Sequence, residues 1–126
     1  MTKDSVAWFE IPVSDFERAK KFYSAIFDYQ MPEWPMGPDY KMGVLLYDQN
    51  NGGIGGAIVE GEGYIPGKTG PKVYLTTGKD LNTVLDRIEK AGGKVIMPKT
   101  QISPELGFMA RFTDSEGNEL SLHSMG

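Results

Sequence analysis

No cysteine occurs among the 126 residues. Disulfides, zinc–thiolate sites, iron–sulfur clusters and a thiol nucleophile are therefore excluded. Histidine occurs once, as His123, so a Ser–His–acid triad would have to use that single ring. Ser121 and His123 read as same-face neighbours on one strand, about 6.6 Å apart, and no nucleophile elbow precedes either. Basic residues do not outnumber acidic ones. The net charge is −4 with no basic stripe, which argues against nucleic acid as a partner. No apolar run approaches the roughly 20 residues of a membrane-spanning helix, and Met1-Thr2-Lys3-Asp4 does not read as a signal peptide. With neither cysteine nor a targeting signal, a cytoplasmic protein with no membrane partner is expected. Hydrophobic content of 40% and charge of 24% are ordinary for one globular domain.

What the chain does contain is organised around Val6 to Phe27. Phe9, Ile11 and Val13 alternate with Trp8, Glu10 and Pro12, the period of a half-buried strand. Ser14 with Glu17 three residues on has the spacing of a capping box. The helix that follows carries Phe16, Ala19, Tyr23 and Ile26 on one stripe, joined by Phe22 and Phe27, with Glu17, Lys20, Lys21 and Ser24 opposite. Removing Phe22 from such a core is expected to cost about 3–5 kcal/mol.

The same plan returns between Pro71 and Met97. Val73 and Leu75 take the places of Phe9 and Ile11. Asp80 stands as the cap of a second helix running through Leu81, Val84, Leu85, Ile88 and Ala91, stopped by Gly92-Gly93. The chain therefore reads as one domain over residues 1–126: a first module over about 5–60, a linker over 61–70, and a second module over about 71–124.

Between these units, Tyr29 to Pro35 reads as a short edge strand, because Pro32 and Pro35 cannot donate to a ladder. Met31, Trp34, Met36 and Tyr40 make it unusually rich in soft and aromatic side chains, which suits an edge strand covering the core or, as the alternative, an adaptable wall or lid over a ligand cavity. Tyr40–Tyr47 and Gly53–Glu60 read as strands joined by a turn at Asp48–Gly52. The glycines of residues 52–56 do not form a phosphate loop, since no helix follows them. Lys94–Thr100 reads as a strand, 101–106 as a loop, Gly107–Thr113 as a strand, Asp114–Asn118 as a turn, and Glu119–His123 as the closing strand.

Three stretches carry a family likeness: IPVSDFERAKKFYSAIFDY, KDLNTVLDRIEKAGGKVI and RFTDSEGNELSLH. The chain resembles the vicinal oxygen chelate superfamily, also called the glyoxalase/bleomycin-resistance/dioxygenase family. In the last stretch Ser115 replaces the proline usual in that family's turn. The resemblance implies an α+β fold of two tandem βαβββ modules, with curled mixed sheets and helices outside, in a homodimer. It also implies metal ligands at one position of the first and last strand of each module. In this sequence those positions hold Trp8, Gly56, Lys72 and Ser121, none of which is a carboxylate or imidazole. No cofactor is therefore expected. The alternative is a divalent-metal-dependent lyase or dioxygenase with a shifted site drawn from Glu10, Glu119 and His123. The favoured expectation is a small organic ligand held by Trp8, Glu10, Lys72, Tyr74, Ser121 and His123, with Trp34 closing over it: an aromatic plate with sparse polar groups.

Overall fold

The computed structural model describes residues 3–126. In β1 (Trp8–Pro12) the alternation read from the sequence sends Ile11 into the core, with only 3% of its surface exposed. β1 pairs in parallel with β4 (Gly55–Glu60). β4 pairs antiparallel with β3 (Lys41–Val44), and β3 with the edge strand β2 (Glu33–Pro35), giving the order β1-β4-β3-β2. The second sheet has the order β5-β8-β7-β6, with β5 (Tyr74–Thr76) parallel to β8 (Glu119–Ser124). β7 (Gly107–Thr113) and β6 (Lys94–Ser103) complete it. The fold is α+β, with two four-stranded curled mixed sheets of matching order.

Helix α1 (Phe16–Phe27) buries Phe16, Ala19, Phe22, Tyr23 and Ile26. Its N-terminus is built differently from the capping box. Asp15, not Ser14, is the cap and accepts from the Arg18 N–H at 3.1 Å. Ser14 is held elsewhere: its N–H and hydroxyl both donate to Glu116 Oε1 at 3.0 Å. The Phe16 N–H donates to Glu60 at 2.8 Å. Carboxylates from β4 and from the turn between β7 and β8 thus accept from the backbone N–H groups of Ser14, Asp15 and Phe16, a role local spacing had given to Glu17.

The second helix is also altered. It is two short pieces, α2 (Asn82–Leu85) and α3 (Ile88–Ala91). The backbone tightens between them, where the Arg87 N–H donates to Val84 O at 3.0 Å. The Arg87 side chain turns away to donate to the Ile26 carbonyl at the end of α1, also at 3.0 Å. Asp80 accepts from the Asn82 N–H at 3.0 Å. Gly92 takes the left-handed conformation (φ 110°), and the Gly93 N–H closes on Ile88 O at 2.9 Å, as a Schellman end requires.

Two strand ends differ from expectation. β6 runs on to Ser103 through residues read as loop, because Gln101 and Ser103 pair with Phe108 and Gly107 across register shifts. β3 stops at Val44, and a 3-10 turn (Gln49–Asn51) with Gly52 at φ 72° leads into β4. The core gathers around α1. Phe22 stacks on Phe112 of β7 at 6.3 Å, and the Tyr23 hydroxyl donates to Asp114 at 2.7 Å. In the turn after β7, Asp114 Oδ1 accepts from the Glu116 and Asn118 N–H groups, each at 2.9 Å. Asn118 Nδ2 donates to Pro12 O at 2.7 Å, tying this turn to the end of β1.

Candidate functional site

Register decides which side chains face away from the helices. Trp8, Glu10 and Pro12 lie beside Gly55, Ala57 and Val59. The same face continues through Val44 and Met42 to Trp34. Gly56, placed by the sequence reading at a family ligand position, pairs with Phe9 and shares Phe9's core-directed face. The position beside Trp8 is Gly55. A Cβ there would strike the Tyr47 ring, so glycine lets that ring lie on the strand.

This inner face of the first sheet is aromatic. Trp8 stacks on Trp34 with centroids 6.1 Å apart and planes 11° apart. Tyr47 meets Trp8 edge-on at 6.1 Å. Further along, the Tyr64 hydroxyl donates to Glu10 Oε1 at 2.6 Å, which raises the Tyr64 pKa because ionisation would break that bond beside a carboxylate. Tyr40 meets Tyr64 edge-on at 6.1 Å. Trp34 reaches Trp8 from an edge strand that is exposed along its length.

The inner face of the second sheet is polar. One row across three strands is Tyr74, Ser121 and Arg111; the next is Thr76, His123 and Met109. Ser121 is buried, whereas 48% of Tyr74 is exposed. Lys72 precedes β5; its ammonium donates to Lys68 O at 2.6 Å and lies 3.4 Å from Glu119. His123 Nε2 lies 2.6 Å from the Leu106 carbonyl. Arg111 was not among the residues singled out from the sequence. The alternation of GFMARFT carries the signal, since Ala110 and Phe112 are core and Arg111 lies between them.

Two cavities lie where edge strands β1 and β5 approach each other. The larger, about 770 Å³, has Phe9, Leu45 and Ile54 on one side, Val73 and Leu75 on the other, and Tyr47, Asp48, Lys72, Tyr74 and Thr76 as its polar groups. The smaller, about 340 Å³, has Glu10 and Glu119 in its walls with Ile65 and Leu120. Lys72 and Tyr74 thus share one cavity and Glu10 lines the other. Trp8, Trp34, Ser121 and His123 line neither.

A divalent metal does not fit this donor set. The family positions present an indole, a glycine, an ammonium and a hydroxyl. Of the shifted candidates, Glu10 is held by Tyr64 and Glu119 sits beside Lys72. His123 is turned to Leu106 and is absent from the cavity those carboxylates share. Among the described residues, no group of three or more His, Asp or Glu is placed to hold an ion.

A family model described as the Glyoxalase/Bleomycin resistance protein/Dioxygenase superfamily matches residues 5–122. A glyoxylase-like domain-containing protein of Didymella fabae is 32% identical over 121 residues, covering 90% of this chain and 88% of that protein. Two solved structures share the fold. Glyoxalase I from Zea mays has a TM-score of 0.72 at 18% identity, covering 94% of this chain and 43% of that one. The fosfomycin resistance protein FosX from Listeria monocytogenes, complexed with Mn(II) and 1S,2S-dihydroxypropylphosphonic acid, has a TM-score of 0.67 at 18% identity, covering 100% and 93%. The chain belongs to the glyoxalase/bleomycin resistance protein/dioxygenase superfamily, that is, to the vicinal oxygen chelate proteins.

Proposed function

We propose that this member of the superfamily binds a small organic molecule where the two sheets meet, without a catalytic metal. One observation carries the reading: the cavity of about 770 Å³ between β1 and β5. Its size and its apolar walls with few polar groups suit a small-molecule site. In this reading Tyr74 and Lys72 touch the ligand directly. Trp8 and Trp34 support the Tyr47 wall, Glu10 borders the site through the smaller cavity, and Ser121 and His123 extend it across the second sheet.

The working form is a homodimer in the cytoplasm. Val6, Leu46, Ile54 and Tyr74 are exposed around the cavity mouth, an apolar rim that a second copy would cover.

A fragment screen by protein-observed NMR in the presence of a chelator tests the proposal. Hits should perturb resonances of β1 and β5. Tyr74→Ala and Trp8→Ala should each weaken them by about tenfold, roughly 1.4 kcal/mol, while leaving the chain folded. Affinity unchanged in both variants would contradict the assignment.

A further inference from the structure

Arg111 is the least satisfied charged group on the inner faces. Its Nε is buried and has no hydrogen-bond partner. The nearest carboxylate oxygen, on Glu119, is 4.0 Å away, beyond hydrogen-bond reach. The side chain is 30% exposed, so the outer part of the fork meets solvent. An unmet donor of this kind destabilises the folded chain, and a stable structure that keeps one has a partner to find.

We propose that Arg111 anchors the carboxylate of a small organic acid on the inner face of the second sheet. The inference rests on the reading of the neighbouring cavity, which shares Lys72 and Tyr74 with this face, as a ligand site, and adds the class of ligand. The planar guanidinium presents paired donors that match a carboxylate's two oxygens. Ser121, beside Arg111 in register, places a buried hydroxyl in the same row. Tyr74 and Met109, on the same face, supply surface for the organic part.

Charge selects the class further. Glu119 lies 3.4 Å from Lys72 and 4.0 Å from Arg111. Two cations share one carboxylate, which leaves a net single positive charge. A monoanion balances it, whereas a phosphate dianion would oppose Glu119.

The test titrates the whole protein with benzoate, with its neutral isostere benzamide, and with inorganic phosphate, read by NMR shifts. Benzoate should bind about tenfold or more tightly than benzamide, and more tightly than phosphate. Arg111→Met should abolish the difference between benzoate and benzamide while leaving the chain folded. Arg111→Lys, which keeps the charge and loses the fork, should lose most of the preference. Equal binding of the two probes, tighter phosphate, or a preference surviving in Arg111→Met would overturn the carboxylate assignment alone. Binding of neither organic probe would instead remove the ligand-site reading beneath it.

Discussion

Tyr23 is wholly buried, and its hydroxyl has one partner, Asp114 Oδ2 at 2.7 Å. Burial first, then the neighbouring carboxylate, pushes the phenol's pKa well above its ordinary range. Tyr23→Phe keeps the ring and removes the bond, leaving Asp114 with Asn118 Nδ2 and two backbone donors. The expected loss in denaturant unfolding is about 1–3 kcal/mol. Gly93→Ala is a harsher change at a small residue. A Cβ there would lie 2.5 Å from Thr113 O and 2.8 Å from the Phe22 ring. Both neighbours are fixed in the core, so a loss of about 1–3 kcal/mol is expected from overpacking; an unchanged melting temperature would contradict that packing. At this scale the sequence is legible where alternation is clean. Trp8, Glu10 and Trp34 share one face, and Tyr74, Ser121 and His123 another, as strand parity implies. Parity fixes a face but no distance. It does not say that the Trp8 and Trp34 rings meet, or that His123 turns to a backbone carbonyl.

The two βα units were legible as elements because their apolar stripes are long and periodic. Their ends were not, because distant residues make them. Glu116, from the turn before β8, reaches the start of α1 and receives Ser14, Asp15 and both arms of Arg18, the last at 2.7 and 3.1 Å. Burial raises the Glu116 pKa, but the Arg18 guanidinium, the Asp15 N–H and the Ser115 and Ser14 hydroxyls outweigh it and hold the carboxyl at about 2. The folded value lies below the ordinary 4.5, so protonation favours the unfolded chain. The contribution of Glu116 is complete above pH 4.5 and drains as pH falls toward 2. Glu116→Gln should lower stability at neutral pH and flatten the acid limb in that window. An acid-unfolding profile parallel to that of the unaltered protein would contradict it. The break between α2 and α3 coincides with another non-local contact. Arg87 leaves the helix to cap α1 at Ile26 O, and Arg87→Ala should cost about 1 kcal/mol through the end of α1.

For the whole molecule, half-length repetition and the DSEGN turn were enough to read the superfamily fold. The turn's role is structural. Asp114 and Asn118 are buried and bind Tyr23 and Pro12 O, joining the last hairpin of one sheet to the helix and first strand of the other. This is why such a motif identifies a fold and says little about chemistry. The position of the cavity was not legible, because it arises between β1 and β5, and no local pattern reports how two edges approach. The fold is that of a chelating family, and the residues that the sequence resemblance places at its chelating positions, Trp8, Gly56, Lys72 and Ser121, are poor metal donors. The most direct test of this account is the metal content of the purified protein after dialysis against manganese, nickel, zinc and iron(II), with melting curves for each ion and for a chelator. The account predicts substoichiometric metal and unchanged melting. One ion per chain, with a rise of several degrees reversed by the chelator, would contradict it and would point to a metal-dependent enzyme.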